Sequence, residues 1–132
     1  MVKLSPKVTV FLKGKHIGKL ATVMRDGSPH VTPIWYTLEH GKIIVNTTTD
    51  RVKYFNIKRD ERVCFLVDSG YPYVILFGKA RIASERDGKR DIETLAIRYT
   101  GPVKGRKSAR EMFWKQPRVS IEIAPERVVV GL

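Results

Sequence analysis

The stretch Asn46-Thr47-Thr48-Thr49-Asp50-Arg51-Val52-Lys53 gathers an amide, adjacent hydroxyls, an acid and two cations. It follows the apolar run Lys42-Ile43-Ile44-Val45, which reads as a strand, and it opens the run Val52 to Arg59, which reads as a helix. The first N–H groups of a helix lack internal partners and attract anions. Threonine hydroxyls donate to phosphate oxygens, Arg51 can span two of them, and Lys53 adds a compact charge. The chemistry suggested is the holding of a phosphate by Asn46, Thr47, Thr48, Arg51 and Lys53, with Asp50 as the helix cap. The same residues equally suit a capped surface helix with ordinary solvated cations.

The elements around this segment are short. Ser5-Pro6 signals a helix start, and Val8, Phe11 and Leu12 give that helix one apolar face before Lys13-Gly14 ends it. Ile17 to Met24 reads as a strand, Asp26-Gly27 as a hairpin turn, and His30 to Leu38 as the return strand. His40-Gly41 is a second turn and Lys42 to Thr47 a third strand. Further strands are expected at Arg62 to Val67, Tyr73 to Ala83, Arg118 to Ala124 and Val128 to Val130, with Gly78 marking a bulge or a close backbone approach. A helix is expected from Asp87 to Tyr99, stopped by Gly101-Pro102. Another is expected from Ser108 to Lys115, with Ser108 and Glu111 forming a capping box and Lys104 to Lys107 as the loop before it. Most strands are hairpin-connected, which excludes a parallel doubly wound sheet and favours a small barrel.

Composition narrows the function classes. The 132 residues suit one domain that folds without a disulfide or metal staple, and the single cysteine, Cys64, is read as a core residue. No run approaches the ~18 apolar residues of a membrane span, and the N-terminus has no signal-peptide core, so a cytoplasmic protein is expected. The net charge of +12 favours anionic partners. His16, His30 and His40 stand without ligand spacing, so no metal site is expected. No Rossmann or Walker glycine loop is present.

Four segments in order, Gly18 to Val23, Asp26 to Tyr36, Ile44 to Thr47 and Arg51 to Val63, resemble the pyridoxamine 5′-phosphate oxidase-related family of flavin-binding split barrels. The likeness is closest to its short branch of FMN-binding and deazaflavin-dependent proteins. It is strong from Ile17 to Ala83 and weak from Glu85 to Gln116. The resemblance implies a mainly β, six-stranded antiparallel split β-barrel spanning residues 1–132. It further implies a homodimer with two equivalent cofactor sites at the interface. The cofactor would be FMN or, alternatively, the deazaflavin coenzyme of the F-420 type. Its phosphate would lie on Asn46 to Lys53, and its ring along Thr32, Pro33, Ile34 and Trp35. A flat apolar ring with a polar rim needs an apolar wall and free backbone groups. Pro33 lacks an N–H and interrupts ladder pairing, which leaves neighbouring groups free. On the residues alone, Ile34 and Trp35 also suit the core, with Pro33 at an edge bulge.

The expected function is therefore an FMN-binding oxidoreductase that passes hydride or electrons to a small organic substrate. No residue stands out as a general acid or base, and the residues with which larger oxidase members bind pyridoxamine phosphate have no match here. A flavin-binding electron carrier without turnover is the alternative. A nucleic-acid-binding barrel, using the net charge with Trp35, Tyr36 and Tyr73, is a third reading, weakened by the lack of an RNA-binding strand signature.

Overall fold

The computed structural model describes residues 1–132. Seven strands form one antiparallel sheet: β1 (Gly18–Val23), β2 (Pro29–Ile34), β3 (Thr37–Glu39), β4 (Lys42–Thr48), β5 (Arg62–Asp68), β6 (Tyr73–Ile82) and β7 (Arg118–Val130). Their order in space is β2-β1-β5-β6-β7-β4-β3. The two edge strands, β2 and β3, are consecutive in the chain and separated only by Trp35 and Tyr36. A sheet whose opposite edges are joined by two residues must curl until those edges meet. The result is a barrel whose hydrogen-bonded ladder is interrupted at one seam, the split geometry expected, with seven strands in place of six.

The extra strand comes from that seam. The single return strand expected from His30 to Leu38 breaks at Trp35-Tyr36, so its first half pairs with β1 and its second with β4. The break strands the backbone of Tyr36, and the helix α3 (Gly88–Thr100) supplies its partners. Tyr36 N–H donates to Tyr99 Oη at 3.3 Å, and Arg98 Nε donates to the Tyr36 carbonyl at 3.0 Å. A buried backbone group left unpaired would be costly, so α3 is required for the seam to exist.

The two strands expected near the C-terminus are one. β7 runs through Pro125 because its register against β6 shifts at Phe77/Gly78, and the bulge absorbs the proline. A Cβ at Gly78 would lie 2.2 Å from the Ala124 carbonyl oxygen, so only glycine allows this approach. The remaining helices are α1 (Pro6–Lys13), α2 (Val52–Arg59) and α4 (Pro102–Glu111), followed by a 3₁₀ turn at Phe113–Lys115. α4 corrects the expected helix at Ser108. Pro102 not only ends α3 but opens α4, and Ser108 lies inside the helix.

The barrel interior is filled by alternate residues. Leu20 of β1, Phe65 of β5, Leu76 of β6 and Ile121 and Ile123 of β7 are fully buried, with Leu12 of α1 and Tyr36 against them. Each such side chain stabilises the fold by ~1.5–3 kcal/mol. Cys64 points the other way and is only half-buried, a correction to the core assignment, because β5 alternates and Val63, Phe65 and Val67 take the inner face. No helix is long and apolar enough to cross a membrane.

Candidate functional site

A cavity of about 500 Å³ opens beside the seam. Pro33, Ile34 and Trp35 form one wall where β2 ends, and Ile92 and Leu95 of α3 form another. Ile17, Phe113, Asn46 and Arg118 complete the lining. Trp35 is stacked on Tyr99, with ring centroids 5.3 Å apart and planes 6° apart, and Phe113 meets it edge-on at 6.1 Å. The wall is thus flat, aromatic and anchored from behind by the same α3 residues that satisfy Tyr36.

The polar end of the cavity is cationic. Register pairs Thr48 with Arg118 and Asn46 with Ser120, so the start of β7 lies directly against the end of β4. Arg118 Nε donates to Asn46 Oδ1 at 2.9 Å, its Nη1 donates to Gln116 Oε1 at 2.8 Å, and its guanidinium lies 5.3 Å over the Phe113 ring. All these partners are neutral. Burial, reinforced by the like charge of Arg51, pulls the Arg118 guanidinium down to about 10, against a weaker upward pull from Asp50. Lys53 is lowered too, by burial first and then by Arg51 and Arg118. Three cations therefore share one corner, and no carboxylate forms an ion pair with any of them. A desolvated cation without a counter-ion is unfavourable, and an anion placed there would relieve it.

Residues 4–130 match the pyridoxamine 5′-phosphate oxidase family. The chain belongs to that family. It is 32% identical over 130 residues to an F-420H(2)-dependent biliverdin reductase of Mycobacterium tuberculosis, covering 96% of this chain and 88% of that protein. Among solved structures it resembles a conserved hypothetical protein from Mycobacterium tuberculosis, with 30% identity and a TM-score of 0.78 over 99% of this chain and 86% of the other. It also resembles an F-420 reductase, with 26% identity and a TM-score of 0.75 over 96% of this chain and 98% of the other.

In this member of the pyridoxamine 5′-phosphate oxidase family, the residues singled out by sequence fall into three sets. Pro33, Ile34, Trp35 and Asn46 line the cavity directly. Arg51 and Lys53 stand at its cationic corner beside Arg118. Thr32 is half-buried and Thr47 and Thr48 are buried, all three outside the cavity lining. Asn46 is fully committed: its Nδ2 donates to the Gly88 carbonyl at 2.9 Å while its Oδ1 accepts from Arg118. It positions the arginine and ties β4 to α3. The Thr48 hydroxyl donates to the Asp50 carboxylate, which holds that acid below the usual carboxylate range. Asp50 was expected to cap α2. Arg51 occupies the cap position instead, with no side chain on the first N–H groups.

Two buried polar atoms have no partner at all, Thr32 Oγ1 and His30 Nδ1, both on the inner face of the edge strand β2. Arg118, Phe113, Ile92, Leu95 and Tyr99 were not found by sequence reasoning. Pro117-Arg118 before an alternating strand was visible, but its pairing with Thr48 joins segments far apart in the chain.

Proposed function

We propose that this protein is an oxidoreductase that binds a phosphate-bearing, flavin-type cofactor, with the deazaflavin coenzyme of the F-420 type as the first assignment. The observation that carries the proposal is Arg118: a half-buried guanidinium with only neutral partners, flanked by Arg51 and Lys53, at one end of an apolar cavity of about 500 Å³. A ligand that fits must be anionic at one end and flat and apolar at the other. One curated relative and one solved structure name F-420, and each matches nearly the whole chain. FMN is the second reading, favoured by the match between three cations and a dianionic phosphate monoester.

The residues fit such a group. Arg51, Lys53, Arg118 and the uncapped first turn of α2 would hold the phosphate. Pro33, Ile34 and Trp35 would lie along the ring. When bound, the ring supplies the hydride transfer. The chain's own part is binding, orientation and exclusion of water by Ile92, Leu95 and Phe113. The stacked Trp35–Tyr99 pair suits a flat conjugated acceptor, a class that includes biliverdin. Ile17 on the cavity rim is 40% exposed and Val31 of β2 is 58% exposed. Apolar surface of this kind supports a homodimer in which a second copy covers the cavity mouth.

The test is to incubate the purified protein with each cofactor, desalt it and record the visible spectrum. A stoichiometric deazaflavin band, together with faster oxidation of the reduced cofactor by a conjugated acceptor than occurs without protein, is the expected result. A flavin band in its place selects FMN. Retention of neither cofactor contradicts the proposal, and retention without turnover reduces it to a carrier.

A further inference from the structure

The cationic corner has an acid beside it that does not neutralise it. Asp50 directly precedes Arg51 and is the only acid in the stretch from Asn46 to Lys53. Register sets Thr48 directly opposite Arg118, so the two side chains leave the same side of the sheet, with Cβ atoms ~5 Å apart. The Arg51 N–H donates to the Thr48 carbonyl at 3.1 Å, and this turn brings Asp50 back toward the end of β4. Its carboxylate accepts from the Thr48 hydroxyl and forms no ion pair with Arg51, Lys53 or Arg118. Thr48 is buried in β4 and β-branched, whereas Asp50 is exposed, so the hydroxyl is the fixed point and the acid is the group able to turn. The acids of α3 are committed elsewhere. Asp87 accepts from the Lys89 and Arg90 N–H groups, and Asp91 accepts from Arg86 and Ser120.

We propose that Thr48 is a positioning residue of the phosphate site, its hydroxyl detaining the Asp50 carboxylate away from Arg51 and Arg118. The proposal rests on the phosphate site proposed above. Arg118 spends its Nε on Asn46 and one Nη1 hydrogen on Gln116, and its Nη2 makes no hydrogen bond within the protein. A carboxylate makes with a guanidinium the same paired N–H···O contacts that a phosphate does. Asp50, once released, would therefore compete with the cofactor for the corner. Tethered next to Arg51, it would do so at a high effective concentration. Thr48 thus favours binding without touching the phosphate, a different duty from direct donation to it.

The experiment is a double-mutant cycle on cofactor binding to the whole protein. The probes are FMN against riboflavin and the deazaflavin coenzyme against its dephosphorylated form. Thr48→Val keeps the side-chain shape and removes the hydroxyl. It is expected to weaken the phosphorylated member of the bound pair about fivefold, the upper range for an exposed ion pair, and to leave the dephosphorylated member unchanged. Asp50→Asn alone is expected to change binding by less than about twofold, and Thr48→Val combined with Asp50→Asn to return to within about twofold of the unaltered protein. That rescue is decisive. Lost packing at Thr48, or a lost bond from its hydroxyl to the phosphate, would not be restored by a change at an exposed acid. Thr48→Ser keeps the hydroxyl and is expected to bind as the unaltered protein does. Circular dichroism reports folding. If Thr48→Val does not fold, Asp50→Glu reads the same competition from the surface, because its longer chain reaches past the hydroxyl and is expected to weaken the phosphorylated cofactor severalfold. The proposal is overturned if Thr48→Val, or Asp50→Glu in its place, leaves the preference for phosphate unchanged. It is also overturned if Asp50→Asn does not rescue Thr48→Val. Equal affinity of the unaltered protein for phosphorylated and dephosphorylated forms, or binding of neither, instead overturns the phosphate site itself and this proposal with it.

Discussion

The seam between sheet and helix α3 and the corner where Arg118 meets Arg51 and Lys53 are both rich in charge, yet they are organised in opposite ways. Beside α3, the Arg86 guanidinium has two counter-charges. Arg86 donates to Asp91 at 2.7 Å and to Glu39 at 2.8 Å, and Ser120 donates to the same Asp91 carboxylate at 2.6 Å. At the corner, the cations have amides, an aromatic face and each other. The two regions are contiguous, because Asn46 links them through Gly88 and Arg118. The contrast is between a cluster whose charges are satisfied within the protein and one whose cations are not, and the second is the basis for proposing a ligand there.

Breaking the paired side has the largest expected effect on stability. Asp91→Ala leaves Arg86 with only Glu39 and removes the acceptor of the Ser120 hydroxyl. The expected loss is about 3 kcal/mol, near the low end for a broken buried pair because Glu39 remains. Urea denaturation measures it, and a loss below about 1 kcal/mol would place the seam among weak surface pairs. The same carboxyl sets a pH dependence. Burial pushes Asp91 up, but Arg86, Ser120 and Arg90 together pull it further down, so its folded value lies below the ordinary carboxylate range. Its contribution is therefore fully present above the unfolded value of ~3.9 and is lost as pH falls through the lower folded value. Asp91→Asn is expected to flatten that acid limb of the stability profile.

Tyr99→Phe sharpens the comparison from the cavity side. It removes the hydroxyl that accepts from Tyr36 N–H and donates to the His16 carbonyl, while the stacking on Trp35 is retained. An expected cost of ~1–3 kcal/mol, with the cavity wall intact, separates the structural duty of α3 from its ligand-facing one. Lys42→Ala is expected to cost less than about 1 kcal/mol, since that pair is partly exposed and Glu122 keeps Arg81.

Much of this was legible in the sequence. Period-two alternation marked the strands, Asp26-Gly27 marked the first hairpin, and Ser5-Pro6 and Asp87 marked helix starts. The motifs from Gly18 to Val63 pointed to the right family. What was missed depends on contacts distant in sequence. Trp35-Tyr36 has strong strand propensity, and only the Tyr99 and Arg98 partners allow the chain to leave the ladder there. Ser108 and Glu111 satisfy a capping-box pattern, but the tight packing of Gly105 on Ile97 carries the helix back to Pro102. Arg118 lies 72 residues from Asn46, and register alone brings them together.

The central claim is that the Arg118 corner holds a phosphate, and one comparison tests it most directly. Binding of FMN and of riboflavin, and of the deazaflavin coenzyme and its dephosphorylated form, is measured for the unaltered protein and for Arg118→Met. A charge-assisted contact of ~1.5–3 kcal/mol predicts that the unaltered protein prefers the phosphorylated member of the bound pair by more than about tenfold. Arg118→Met is expected to lose most of that preference, with its free-protein stability changed by less than about 1 kcal/mol because a half-buried cation without a counter-ion is removed along with its hydrogen bonds. Equal affinity for the phosphorylated and dephosphorylated forms in the unaltered protein would contradict the account.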